Sequence, residues 1–196
     1  MGNTKSLPHR ERRASFKKGE ERPSFRGAGC LFTNGLTILS GYQKKKGKNI
    51  ISGLGGSREE NESYMDTAFR ETIEELFHVN EVPSKLLDTL KRVLKPKSVI
   101  GKDVEGWGIY VTVIFTFEDL ETLLKYAERV SLKTPIYDTF PNTLSDLLLE
   151  RNPRQGSHVP EIEYLTIIPL DIKYADALVQ PELIEDMKAI YKHTLR

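Results

Sequence analysis

The spacing of apolar residues changes several times along this chain, and each change marks an element. Residues 1–26 carry only Leu7, Phe16 and Phe25 as large apolar side chains, too few to close a core, so an ordered domain is expected from about Gly27. Cys30-Leu31-Phe32 and Leu36-Thr37-Ile38-Leu39 flank Asn34-Gly35, a pair that readily takes positive φ, and together they predict a β-hairpin. A polar loop is expected over 41–49, then a short strand at Ile50-Ile51 entering the glycine-rich Gly53-Leu54-Gly55-Gly56. Ser63, with Asp66 three residues on, resembles a capping box and predicts a helix to about Val79. A second helix is expected over 84–94, stopped before Pro96.

Two β segments follow, at 97–101 and 107–117, around a turn-rich stretch at 102–106. In the second, Trp107, Ile109, Val111, Val113 and Phe115 alternate with Gly108, Tyr110, Thr112 and Ile114, the period of a strand with one strongly buried face. Residues 118–158 turn helical and loop-like, with Leu120, Leu123, Leu124 and Ala127, then Leu144, Leu147 and Leu148, at helical spacing. Residues 161–170 return to strand, and 181–196 end as an amphipathic helix. No internal repeat is present. The order suits an α+β or α/β sandwich in which 118–158 is a helical insertion.

Composition narrows this picture. The 196 residues, 38% hydrophobic and 29% charged, fit one domain over 27–196 behind an N-terminal arm. A single cysteine excludes an intramolecular disulfide framework and points to a cytoplasmic or nuclear setting. The longest apolar run is far short of the ~20 residues a membrane helix needs. The net charge of +1 hides an asymmetry: residues 1–26 hold eight bases against three acids, a +5 arm, so the body from Gly27 onward is acidic at −4.

The informative segment is 55–79. On a helical count of roughly 100° per residue, Ala68, Phe69, Ile73, Leu76 and Phe77 share a face with Met65, while Glu71, Glu74 and Glu75 cluster on the other side. Like charges on adjacent turns repel one another unless they are solvated or bound to cations. A solvated acidic face is the ordinary reading of such a cluster. Behind a strand and glycine turn, however, carboxylates at this spacing can converge on Mg²⁺, with a backbone carbonyl of the turn as a further oxygen ligand.

Gly56, five residues, Glu62, seven residues, then Arg70-Glu71-Thr72-Ile73-Glu74-Glu75-Leu76-Phe77-His78 resembles the Nudix box, with every charged position kept. Thr72 and His78 stand where that family prefers aliphatic residues, and Phe77 stands where it has glycine. Because Phe adopts the left-handed conformation poorly, the helix is expected to run on towards Asn80. The resemblance implies a Nudix-like α/β/α sandwich with a mixed sheet. It also implies Mg²⁺ or Mn²⁺ held by Glu71, Glu74, Glu75 and the Gly55 carbonyl, while Gly56, Glu62 and Arg70 brace the loop. Arg70 alternatively reads as a surface partner of Glu74.

The implied activity is hydrolysis of a diphosphate linkage in a nucleoside-diphosphate-linked substrate. Divalent ions would neutralise the anionic oxygens and lower the pKa of the attacking water. Some family members take their base from a carboxylate well downstream, and Glu161 and Glu163 are the candidates here, Glu161 being the better match. His158 is a second basic group nearby, although a lone loop histidine is ordinarily a surface group. Lys44, Lys45, Lys46 and Lys48 would grip phosphates or simply be solvated. Tyr110 and Trp107 would stack on a base, with core packing the competing role for Trp107.

The arm adds weaker signals. Met1-Gly2-Asn3-Thr4-Lys5-Ser6 fits the myristoylation pattern at Gly2, and the basic arm would supply the second attraction needed for peripheral membrane contact. Arg12-Arg13-Ala14-Ser15-Phe16 resembles a basophilic kinase site at Ser15. The arm would otherwise be a solubilising or an RNA-tracking segment. Two substrate classes are consistent with these features, small nucleotides and capped RNA. The competing class is a Nudix-like binding module that has lost turnover and holds a partner through 118–158.

Overall fold

The computed structural model describes residues 25–45, 47–104, 108–154, 159–171, 173 and 178–194. Gly2, Ser15 and the rest of 1–24, together with Lys46, Trp107 and His158, lie outside the described residues. The elements run β1 (Phe25–Thr33), β2 (Thr37–Lys45), β3 (Lys48–Ser52), β4 (Gly56–Ser57), α1 (Tyr64–Phe77), α2 (Ser84–Val93), β5 (Ser98–Val104), β6 (Gly108–Thr116), α3 (Phe117–Arg129), α4 (Leu144–Leu149), β7 (Tyr164–Pro169) and α5 (Pro181–Thr194). Among the described residues, no helix is long and apolar enough to cross a membrane.

The strands form one mixed sheet in the order β3-β2-β1-β6-β5, with β4 paired to β1 and β7 to β2. β1 and β6 run parallel from Phe25↔Ile109 to Thr33↔Thr116, whereas the other strand pairs are antiparallel. β1 and β2 pair only at Thr33↔Ile38, next to the Asn34-Gly35 turn. Beyond that pair β2 joins β7 and β1 takes β4 as partner, so the sheet opens into a wedge between β1 and β2.

Adjacent strand residues point to opposite faces, and both faces are covered. On one side Phe32, Phe69 and Phe115 stack at centroid separations of 5.9 and 5.5 Å in a core shared with α1, α2, α3 and α4. On the other side Leu31, Ile38 and Ile114 pack against Leu183, Met187 and Ile190 of α5. The result is an α/β/α sandwich, the fold class expected from sequence. α3 and α4 contribute Leu120, Leu123, Leu124 and Leu147 to the same core as α1.

Four local expectations are corrected. The 41–49 loop is instead the end of a hairpin, because Lys44↔Asn49 and Lys45↔Lys48 continue the β2–β3 ladder. β5 likewise runs on to Val104 through pairing with β6. β6 is buried on both faces from Val111 to Phe115, because α5 covers the side that alternation left open. The acids Glu161 and Glu163 precede the last strand, which starts only at Tyr164.

The end of α1 also differs from expectation. Ser63 caps its start through a reciprocal box with Asp66, as its spacing predicts. The helix stops at Phe77, and the next residue, His78, takes the left-handed conformation at φ 52°. Phe77 remains helical because its ring is fully buried, stacked on Phe140 at 5.0 Å and set edge-on to Tyr137. Its carbonyl accepts the Thr134 hydroxyl at 2.7 Å. Tertiary contacts therefore end this helix where a glycine would ordinarily do so.

Candidate active site

The site grows from the turn that joins β3 to α1. Gly55 has φ 148°, and a Cβ on it would sit 2.5 Å from the Gly29 Cα. A Cβ on Gly56 would lie 2.3 Å from Glu71 Oε2. The backbone excludes a side chain at Gly55, and one at Gly56 would displace the Glu71 carboxylate, so the turn comes close to the acids of α1. Glu75 Oε2 accepts the Gly55 N–H at 2.6 Å.

Arg70 braces the turn and the helix at once. Its Nε and Nη2 donate to the two oxygens of Glu62 at 2.6 and 2.9 Å, and Nη2 also donates to the Ser57 carbonyl at 2.9 Å. Nη1 reaches Glu71 and Glu74, each at 3.0 Å. Glu62 additionally accepts the Glu59 N–H and the Thr67 hydroxyl. The bracing and the Glu74-partner readings of Arg70 thus coexist in one fork of donors.

Burial pushes Glu62 up, yet Arg70, the Glu59 amide and Thr67 together hold it below its ordinary value. The reverse holds for the other three. Burial raises Glu71 and Glu74 against the pull of Arg70. Glu75 is raised well above the carboxylate range, by burial first and then by the charges of Glu161 and Glu71, opposed by Gly55 and Arg151. Glu161 therefore acts electrostatically on both Glu71 and Glu75 from across a cleft whose walls include Glu71, Glu74, Glu75, His78 and Glu161.

A second cavity, of about 360 Å³, fills the wedge between β1 and β2 and meets the first at Gly55, Glu75 and Glu161. Its polar walls include Gln43, Ser52, Tyr110 and Thr112. Burial pushes the Tyr110 hydroxyl up. At the back, Asp186 of α5 accepts the Thr112 hydroxyl at 3.0 Å and pairs with Lys102 at 2.7 Å. Burial raises the Asp186 carboxyl despite Lys102.

Glu71, Glu74, Glu75, Glu161, the Gly55–Gly56 turn and Tyr110 thus line these two cavities, with Arg70 and Glu62 bonded behind Glu71 and Glu74. Glu163 does not line either one: its amide donates to the Tyr42 carbonyl and its carbonyl accepts from Arg151. Lys44 and Lys48 sit exposed on the β2–β3 hairpin, outside both walls. The donor set facing the cleft is hard oxygen, the chemistry that suits Mg²⁺ or Mn²⁺. As the side chains stand, no three His, Cys, Asp or Glu groups among the described residues are gathered tightly enough to hold an ion, for Arg70 draws Glu71 and Glu74 aside and Gly55 draws Glu75.

Sequence reasoning missed two residues. Arg151, buried, donates to the carbonyls of Glu75, Leu76, Ile162 and Glu163, and no local pattern announces it. Asp186 did carry a signal, since it shares a helical face with Leu183, Met187 and Ile190, where an acid needs a partner.

No family model matches the chain, and neither does any curated protein. Among solved structures, the chain is similar to a bifunctional NMN adenylyltransferase/ADP ribose pyrophosphatase from Francisella tularensis complexed with AMP and Mn ion. The identity is 16% and the TM-score 0.51, over 89% of this chain and 43% of that one. A second structure of the same enzyme matches at 16% identity and TM-score 0.50, over 89% and 42%. A NUDIX hydrolase from Nitrosomonas europaea aligns at 13% identity and TM-score 0.44, over 88% and 92%. The chain spans less than half the length of the Francisella protein. The shared feature is the fold, a mixed sheet flanked by helices of Nudix-like type.

Proposed function

We propose that this protein is a metal-dependent pyrophosphohydrolase of Nudix type, cleaving a diphosphate linkage in a nucleoside-diphosphate-linked substrate. The observation that carries the reading is the junction at Gly55, Glu75 and Glu161, where an acidic cleft meets a cavity of mixed polar and apolar lining. Glu71, Glu74, Glu75 and the Gly55 carbonyl would hold Mg²⁺ or Mn²⁺. When bound, the cation supplies charge neutralisation at the diphosphate and makes water a better nucleophile. Glu161, exposed and facing Glu71 and Glu75, takes the proton from the attacking water. Arg70 keeps the turn and helix in register as charge changes in the cleft, and Glu62 holds Arg70. The wedge cavity takes the nucleoside end, with Gln43, Ser52, Tyr110 and Thr112 as its polar contacts.

Both small nucleotides and capped RNA present such an end. A product-resolved screen of nucleotide sugars, dinucleoside polyphosphates, nucleoside triphosphates, inositol pyrophosphates and capped RNA, with Mg²⁺ or Mn²⁺, tests the reading. Metal-dependent release of a nucleoside monophosphate, lost in Glu75→Gln, is the expected result. One observation favours a second reading, a binding module without turnover: Arg70 Nη1 already pairs with both Glu71 and Glu74, two of the acids a cation would need. That module would bind nucleotides in the same screen and release no product.

A further inference from the structure

α1 ends with carbonyl groups that lack partners within the helix. Two of them, on Glu75 and Leu76, accept from Arg151, whose guanidinium is inserted between the helix end and the segment leading into β7. On the far side Nη2 donates to the Ile162 carbonyl at 2.6 Å and Nε to the Glu163 carbonyl at 3.2 Å. The Tyr137 hydroxyl accepts from Nη1 at 3.3 Å and donates to the Leu147 carbonyl. Five acceptors meet the five N–H donors that a guanidinium carries, in a residue that is 6% exposed. Lysine has three donors on a point charge and cannot span this set.

The position of this fork matters more than its burial. It ties the carbonyl of Glu75, at one end of the acidic cluster, to the carbonyl immediately after Glu161, at the other. Two separate chain segments thus share one rigid connector, and the acids they carry line the same cleft. We propose that Arg151 is a positioning residue that fixes Glu161 opposite Glu71 and Glu75, so that the two halves of the acidic site act as one cation-binding unit. Its consequence for metal binding rests on the function proposed above, while the clamp itself does not.

The test uses the full chain with Arg151→Lys, and with Leu123→Ala as a destabilised control in the core of α3. Hydrogen exchange reads the clamp without any metal. Exchange over 159–163 and at the last turn of α1 should rise at least tenfold in Arg151→Lys and should not rise selectively there in Leu123→Ala. Mn²⁺ titration followed by electron paramagnetic resonance reads the coupling. Arg151→Lys should weaken binding about tenfold, and in a Glu161→Gln background it should add almost nothing, since both changes remove the same arrangement. Unchanged exchange at 159–163, or fully additive losses of Mn²⁺ affinity, would overturn the proposal. Raised exchange in Arg151→Lys, together with a wild-type protein that binds no Mn²⁺, would leave the clamp standing as a structural device and refute its coupling to a cation, along with the metal-dependent function. Should Arg151→Lys not fold, Tyr137→Phe removes one of the five acceptors, and the same measurements should then move less but in the same direction.

Discussion

The carboxylate of Glu75 accepts the Gly55 N–H at 2.6 Å while burial, and after it Glu161 and Glu71, raise its affinity for a proton. A glutamine at this position keeps an acceptor for Gly55 and discards the charge. Glu75→Gln should therefore abolish turnover, by orders of magnitude, and stabilise the cation-free protein by about 1 kcal/mol near pH 7. Since the folded pKa lies above the unfolded one, the native charge destabilises only as pH rises from the ordinary carboxylate value through the folded value. The advantage of glutamine should vanish at pH 3. Chemical denaturation with a chelator present, at both pH values, checks this.

Lys91 of α2 pairs with Asp66 at the start of α1 at 2.5 Å. Burial pushes Asp66 up, but Lys91 and Ser63 outweigh it and hold the carboxyl low. Its stabilisation is complete above the ordinary Asp value of 3.8 and is lost as pH falls through the lower folded value. Both side chains are partly solvated, so Lys91→Met should remove only about 0.5 kcal/mol at pH 7. It should remove less as pH falls through the folded Asp66 value, and 1 M salt should shrink the difference. Parallel urea titrations would show it.

His78 holds a left-handed conformation at the end of α1. Replacing it with glycine relieves about 1–2 kcal/mol of steric strain and adds about 0.5–1 kcal/mol of unfolded-state entropy. His78→Gly should raise stability by about 0.5–1 kcal/mol, read from the denaturation midpoint at constant slope.

Phe77→Gly restores the residue that the Nudix pattern carries there, and it should nonetheless destabilise the protein by about 4 kcal/mol. The buried ring against Phe140 and Tyr137 would leave a cavity. A stability near that of the parent chain would show that the 134–151 segment does not depend on this anchor.

Cys30 is buried beneath α1, its thiol donating to the Ala68 carbonyl, and burial pushes its pKa up to about 12. A thiol reagent at pH 8 should therefore modify it only on unfolding, giving no reaction in buffer and one equivalent in denaturant.

What could be read from sequence was local. The Ser63–Asp66 cap, the apolar face of α1, the Asn34-Gly35 turn and the charged positions of the motif depend on neighbours within a few residues, and they are found where the spacing predicts. The ends of β2 and β5 were hidden because exposed lysines and turn-like residues are held in strand by partners across the ladder. Phe77 suggested a longer helix, since propensity cannot register Phe140 or Thr134. Arg151 stands in no local pattern; its acceptors, in the last turn of α1, at Tyr137 and in the segment before β7, converge only in the folded chain. The gathering of Glu71, Glu75 and Glu161 was legible as chemistry, but its walls were not, because the wedge depends on how β1 and β2 part company.

The strand pairings also set an order in time. Phe32 pairs with Phe115 in the parallel ladder, and Tyr42 with Tyr164 in the antiparallel one, so each joins residues far apart along the chain. Such contacts must first meet the entropy of closing long loops, which makes them slow to form. Helix α1, held by its own cap and local hydrogen bonds, should form before those ladders close. Glu161 arrives only when β7 docks on β2 and Arg151 seats beneath it. During refolding, helical circular dichroism should therefore recover before cation affinity does, and a newly made chain would pass through a helical state that holds Glu75 without its counterpart.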